Sequence, residues 1–458
     1  MSVPLSEHES LNAPVTPSPV PLLPEAQSTF SLISKLGRLK QNHLLSNSLY
    51  LMLSSGLQAA AGFLFWIISA HLFNVGDVGQ ASSLYAAEGV IADAALLGLN
   101  STIVRYLPTA KDRNVFITTA LALVSISAAI IAFLYVIVIP YIAPRLAFVT
   151  HKPALAIGFV LLSVAVAVNM LTDSIFIGLR KSGYNALVDG GIGGVAKLAG
   201  TVIIAGAGAY ELFVASSAGF VVAALASIIL IARSERFHPT LRGSRQLLKP
   251  LLRFSGANYL GNVLMLLPNL VVPLIVLDRL GVHDAAYYYI GYQMAALLYA
   301  AVYAIEQTFL AEGSHDDVNL RQMMRRSWRL LAGLCIPASI VLAGSAHWLL
   351  LLFGGSYSAH STDVLIILAL TTLPFGAFYW LLTVLRLIGK LNSIVAANIA
   401  AGVLTCVLAW ILAPHGLSML VLAWPIGLTA AAITAAVPVW RWSRDNPPPE
   451  SAAVILGK

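Results

Sequence analysis

Runs of about twenty apolar residues recur along this chain, and nothing else in it constrains the fold as strongly. Such a run matches a hydrocarbon core about 30 Å thick. Inside that core every backbone N–H and C=O must be satisfied, which leaves helices or a closed barrel. A barrel strand is about half as long and alternates apolar with polar residues. Stretches such as 115–140 and 153–178 do neither. With 58% of 458 residues hydrophobic and 10% charged, the chain reads as an all-α polytopic membrane protein.

About twelve spans are predicted, near 47–71, 82–104, 115–140, 153–178, 185–208, 211–232, 251–277, 284–311, 328–353, 362–388, 391–413 and 416–440. They divide the chain into a tail (1–43), a six-helix lobe (44–232), a basic connector (233–253), a second six-helix lobe (254–440) and a tail (441–458). The proline-rich first segment predicts a disordered tail with no cleavable signal peptide. Of the 27 lysines and arginines, only Arg145, Lys152 and Arg279 fall in loops on one side, and Lys197 lies within a span. All the others fall on the opposite side, which the positive-inside rule makes cytoplasmic, together with both termini. The net charge of +7 is therefore topological information rather than a nucleic-acid surface. The connector holds Arg233, Arg236, Arg242, Arg245, Lys249 and Arg253 beside four leucines, a pattern that predicts a short amphipathic helix on anionic lipid.

Internal similarity supports two halves. Val75-Gly76-Asp77 matches Val282-His283-Asp284, and the same offset pairs Tyr85 with Tyr292 and Asn100 with Gln307. Leu179-Arg180 matches Leu385-Arg386 at nearly that offset. Six spans is an even number, so the copies run parallel about an axis along the membrane normal.

Ionisable groups inside spans are costly and usually face a bundle interior or a wet cavity. The second span carries Glu88 and Asp93, the fifth Lys197, and the eighth Gln293, Glu306 and Gln307. One face of the fourth carries Asn169, Asp173 and Arg180, and one face of the seventh Asn258, Asn262 and Asn269. Two readings stay open for these groups: hydrogen-bonding glue between helices, or the lining of a polar lumen. Glu88, Asp93 and Asp173 are the candidates for ion coupling or for structural pairs. A Lys197–Asp93 ion pair, neutralisation of Arg180 or Lys181 by Asp173, and an interfacial Glu306 are the plain alternatives. Pro268 and Pro273 around Asn269, and Pro374 beside Gly376, predict kinks, with the seventh helix as a moving part. Cys335 and Cys406 give neither a disulfide framework nor metal spacing, and no P-loop or nucleophile arrangement suggests an enzyme or a cofactor.

The segments "NVGDVGQASSLY" and "LLGLNSTIVRYLP" near the start, with "LRLIGKLNSIVAANIAAG" and "LAPHGLSMLVLAW" near the end, resemble the bacterial polysaccharide-export flippases. These belong to the superfamily of multidrug, oligosaccharidyl-lipid and polysaccharide exporters. The resemblance spans residues 45–440. It implies two lobes forming a V, alternating access, and a lumen lined mainly by the first, second, seventh and eighth helices. It also implies a substrate, an oligosaccharide on polyprenyl pyrophosphate, flipped outward across the inner membrane for polysaccharide or lipopolysaccharide assembly. The expected lumen set is Asn100, Arg105, Lys197, Asn258, Asn262, Asn269, Gln293, Gln307 and Arg386. Arginines at the cytoplasmic rim would recruit the pyrophosphate, and amides would bond the sugars. Expected partners are membrane lipids and glycan polymerase or glycosyltransferase machinery, while sodium or proton coupling stays open. Family flippases carry several deep cations, and here only Lys197 qualifies. The drug exporters' acid in the first or seventh helix is missing, as are the two additional helices of lipid II flippases. The alternatives are an ion-coupled exporter of small amphiphiles, a lipid II-type flippase, or a non-transporting scaffold.

Overall fold

The structure is a computed structural model that describes residues 43–235, 237–240, 265–313 and 320–445. By backbone contacts the chain divides into Met1–Leu49 and Tyr50–Lys458. Of the first unit only residues 43–49, the start of a helix, are described.

The described residues are helical and contain no strand. The first half comprises α1 (His43–Leu72), α2 (Val75–Ala95), α3 (Leu99–Tyr106), α4 (Arg113–Ile142), α5 (Pro153–Gly178), α6 (Gly183–Ile203) and α7 (Ala209–Ser234). The second comprises α8 (265–280), α9 (Val282–Gly313), α10 (Leu320–Leu351), α11 (Gly355–Leu387), α12 (Leu391–Leu412) and α13 (Leu417–Asp445). Among the described residues nine helices are long and apolar enough to cross a membrane, or ten counting the bent pair of α2 and α3. α9 falls short of that test because tyrosines 287, 288, 289, 292, 299 and 303 dilute its hydropathy. It is nevertheless 32 residues long, about 48 Å at 1.5 Å per residue, enough to cross.

In the first half α2, α4, α5 and α7 pack on one another, with α6 laid against α7. In the second, α11 is the central helix, touching α9, α10 and α13, while α12 packs on α13. The two halves form the lobes of a V. They are joined by α2 against α9, where one continuous apolar core runs from Phe65, Val78 and Leu84 to Val272, Ala286 and Tyr289. A separate core, built from Leu96, Leu99, Phe116, Val166 and Phe176, fills the far end of the first lobe. The lobes are thus welded at one face and distinct at the other. α1 is mostly exposed on its far side, and Phe65 and Trp66 carry it onto the core.

Two expectations, about the second span and about Arg180, are corrected. The second span begins at Val75 and breaks at Leu97 and Gly98, with a 47° bend. Both residues have positive φ, 51° and 76°, so the break is built by a left-handed turn and not by proline. Thr102 donates to the Gly98 carbonyl at 3.2 Å, one of the internal partners that a broken helix needs in lipid. α11 continues as helix through Pro374, and residues 265–275 stay helical past Pro268 and Pro273 before a π-helical turn at Val276–Leu280. Arg180 lies beyond the end of α5 at φ 58° and is exposed, so it is not on the face that carries Asn169 and Asp173. Of the connector only 233–235 and 237–240 are described; there the Thr240 N–H bonds Thr118 Oγ1 at 3.1 Å. Its predicted amphipathic helix lies outside the described residues.

Candidate functional site

Two glycines make the weld possible. A Cβ built on Gly79 would lie 1.8 Å from the Val282 carbonyl oxygen and 3.0 Å from the Ala286 nitrogen, and one on Gly76 would meet Val282 at 3.1 Å. Gly79 and Ala286 are equivalent at the repeat offset of 207 positions, so corresponding turns of the two copies meet each other, as elements beside a two-fold axis do. A cation latches the same face. Arg145, between α4 and α5, donates through Nη1 to the Leu277 carbonyl, and Gln80 Nε2 donates to the Arg145 carbonyl at 2.9 Å. Gly281, at φ 121°, leaves room for that guanidinium.

Away from the weld, the lobes part around a cavity of about 400 Å³. The first lobe supplies Gln58, Trp66, Tyr85, Asp189, Lys197 and Phe220, and α9 supplies Gln293 and its apolar neighbours. Lys197 is 8% exposed. Its ammonium stands 4.5, 4.7 and 5.7 Å from the ring centroids of Phe65, Tyr85 and Phe220. Among the described residues no carboxylate lies within 4 Å of it; the three aromatic faces surround the charge, and the buried Glu88 carboxylate acts on it from beyond contact distance. The Lys197–Asp93 pair weighed from the sequence does not form. Glu88 instead accepts a hydrogen bond from Ser217 Oγ at 2.7 Å within the first lobe. Gln293 donates to Tyr289 Oη at 2.6 Å, and the Tyr289 ring packs on Trp66 across the lobes at 4.7 Å.

A second cavity, about 270 Å³, lies towards the open face between Asp93, Gly98 and Asn100 of the first lobe and Asn269, Tyr303, Tyr379 and Arg386 of the second. Here the bend places Asp93 and Asn100 on the lumen, a consequence of the left-handed residues between them. Arg386 pairs with Glu306 at 3.5 Å, and Thr383 also donates to Glu306. Glu306 is therefore a buried partner and not an interfacial residue. A third cavity, about 190 Å³, lies inside the second lobe behind Asn269, whose Oδ1 accepts from Tyr292 at 2.8 Å.

The structure thus brings Lys197 and Gln293 to one cavity, and Asn100, Asn269, Arg386 and Asp93 to the next. It does not bring Arg105 or Gln307 to either: Arg105 is exposed on α3 over the Tyr106 ring, and Gln307 is exposed on α9. Asn258 and Asn262 lie outside the described residues. Asp173 neutralises neither Arg180 nor Lys181, since Lys181 pairs with Glu235 and Asp173 meets Asp189 on α6. Sequence reasoning passed over Asp189 and the aromatic box. The available signal was a carboxylate within an apolar span beside the glycines of "VDGGIGG". Among the described residues no group of three His, Cys, Asp or Glu side chains could hold a metal ion.

Two parallel six-helix lobes, joined at one face and enclosing a polar-spotted lumen, define the class: a V-shaped, exporter-type membrane fold. Solved structures agree. The lipid II flippase MurJ in an inward closed conformation superposes with a TM-score of 0.67 at 14% identity, covering 85% of this chain and 87% of that one. An inward-facing multidrug resistance MATE family transporter gives 0.63 at 15% identity over 84% and 96% of the two chains. A Vibrio cholerae MATE transporter, VcmN, gives 0.60 at 13% over 88% and 97%. Comparison with curated protein sequences finds no significant match. The sequence matches the polysaccharide biosynthesis protein family across residues 70–363, more than half its length, and the chain belongs to that family.

Proposed function

We propose that this protein flips an oligosaccharide carried on polyprenyl pyrophosphate from the cytoplasmic to the outer leaflet of a bacterial inner membrane, by alternating access. Both termini would be cytoplasmic, and the open face would be the cytoplasmic one. The observation that carries the reading is the Lys197 ammonium, buried on the inter-lobe cavity among aromatic rings with no carboxylate of the described residues within 4 Å. A desolvated positive charge with no carboxylate in direct contact favours an anionic headgroup. It opposes the cationic amphiphiles that a drug-type exporter would carry. Arg386 and Asn100, nearer the open face, would receive the pyrophosphate first. Gln293, Asn269 and the tyrosine hydroxyls would bond and stack the sugars, while the polyprenyl tail stays in lipid. The weld at Gly79 and Arg145 would open to release the glycan outward, where polymerase or ligase machinery would take it.

Lys197→Met in cells that depend on this gene tests the reading. Flipping is expected to fall at least about tenfold, since one lost charge-assisted contact is worth about 1.5–3 kcal/mol. Lipid-linked oligosaccharide should then accumulate on the cytoplasmic side at unchanged protein levels. Lys197→Arg should retain part of the activity. Normal glycan export by the methionine variant would sink the proposal.

A further inference from the structure

The second lobe has a basic end that the lumen does not use. Arg321, Arg325 and Arg329 lie in the first turns of α10, and Arg441 and Arg444 in the last turns of α13. Arg321 brings the two helix ends together by donating through Nη2 to the Ser443 carbonyl. α10 enters at this end and α13 leaves by it, so Arg325, one turn deeper than Arg321, stands about level with Trp440 and Arg441. The next turn of α10 holds Trp328 and Arg329, and the Trp328 ring is fixed against Trp380 of α11 at 5.4 Å. Arg444 lies over the Trp440 ring at 5.9 Å. Arg325, Arg329, Arg441 and Arg444 are exposed, and among the described residues none has a carboxylate within 4 Å. Other cations at this end of the molecule are paired: Arg113 and Lys181 share Glu235, and Arg386 holds Glu306.

Like charges at i, i+4 and i, i+3 destabilise a helix, and each helix end carries such a ladder. Drawing the two ladders together adds to the repulsion. Orientation in the membrane needs only enough cations on one side, at no particular place. Here they converge from two helices around two exposed tryptophans, Trp328 at 40% and Trp440 at 62%. Depth narrows the choice of counter-charge. The apolar part of α10, Leu330–Leu351, rises about 33 Å, close to a hydrocarbon core of about 30 Å. Trp328 and Arg329 therefore stand where the core meets the headgroups, and Arg325 stands at the level of the lipid phosphates. Tryptophan is at home at that boundary, and the arginine fork matches phosphate oxygens two at a time.

We infer that Arg325 and Arg329 of α10 and Arg441 and Arg444 of α13, with Trp328 and Trp440, bind the phosphodiester headgroup of an anionic phospholipid from the adjoining leaflet. The arginines take the phosphate oxygens, and the tryptophans flank the glycerol and the first part of the acyl chains. A zwitterionic lipid would bring an ammonium group into a patch that is already positive. A soluble anion gains nothing from the tryptophans. One bound lipid then neutralises both ladders and bridges the entering and leaving helices of the lobe. These residues belong to the lobe itself and not to the connector. The inference holds for any transported substrate and does not depend on the glycan reading.

The test is lipid binding to the delipidated full chain in detergent, read by native mass spectrometry and by thermal unfolding, with no transport assay. Phosphatidylglycerol should bind wild type more tightly than phosphatidylethanolamine with the same acyl chains, and should raise the unfolding temperature. Arg325→Gln combined with Arg441→Gln should weaken phosphatidylglycerol binding about thirtyfold, the effect of two interfacial charges, and remove the thermal increment. Lys111→Gln combined with Arg180→Gln takes the same charge from the first lobe and should change neither. If the first pair does not fold, Arg329→Gln with Arg444→Gln carries the same expectation. Equal affinity for the two lipids overturns the inference, and so does an equal loss in the first-lobe pair, which would mean diffuse attraction and no site. Unchanged phosphatidylglycerol binding by the α10–α13 pair overturns it too and assigns the arginines to another anion, such as an acidic protein surface. An equal thermal increment from inorganic phosphate overturns the choice of a lipid.

Discussion

Gly79→Ala should open the welded face. In an ideal helix this change stabilises, because glycine is about 1 kcal/mol worse than alanine within a helix. At Gly79 the added methyl would lie 1.8 Å from the Val282 carbonyl oxygen, against an ordinary carbon–oxygen contact of about 3.3 Å. Both sides of the clash are backbone, so no rotamer relieves it. α2 and α9 must separate by about 1.5 Å, loosening the Val78, Ala286 and Tyr289 packing around them. Overpacking of this kind costs about 1–3 kcal/mol. The helix gain is common to every conformation, whereas the clash penalises only the welded one. A penalty of about 2 kcal/mol shifts the balance between conformations about 30-fold. The assay is labelling of a cysteine at Ser83, buried beside the weld, by a membrane-impermeant maleimide, with Cys335 and Cys406 first replaced. Gly79→Ala should speed labelling by up to that factor. Gly89→Ala on the same helix, where a Cβ meets nothing within 4 Å, should leave labelling unchanged. Equal labelling in the two variants would refute the steric argument.

Two further perturbations follow from the open side of the lumen. Glu306→Gln keeps an acceptor for Thr383 but removes the ion pair with Arg386, whose side chain is 35% exposed and therefore screened; thermal unfolding should show a loss of about 1 kcal/mol. Combined with Arg386→Met the losses should be less than additive, and strict additivity would show that the two groups do not interact. Gly98→Ala forces a side chain into a left-handed turn and should destabilise by about 1–2 kcal/mol in the same measurement, with the neighbouring Asn100 and Asp93 becoming less accessible if the bend straightens.

How much of this was legible beforehand differs by residue. Lys197 was singled out from the sequence because a lone ammonium in an apolar span is conspicuous wherever it points. Its surroundings were not legible: Phe65, Tyr85 and Phe220 come from three other helices, and only packing assembles them into a box. Asp173 has Lys181 close by in sequence, but in space it meets Asp189, which spacing along α5 alone does not reveal. Glu306 was placed at an interface by its distance along α9, yet Thr383 and Arg386 reach it from α11. The bend at Leu97 and Gly98 carried no proline to announce it.

The sequence by itself determined the helical class, the approximate spans and the division into two halves. Hydropathy and residue spacing are local quantities, and lipid leaves a helix no other backbone partner than itself. Which face of each helix meets which neighbour was decided only by the tertiary structure. A weld between two backbones and a cation set among rings from separate spans are coincidences of distance between segments far apart in the chain. Periodicity along one helix cannot specify such distances, because they depend on how the lobes pack.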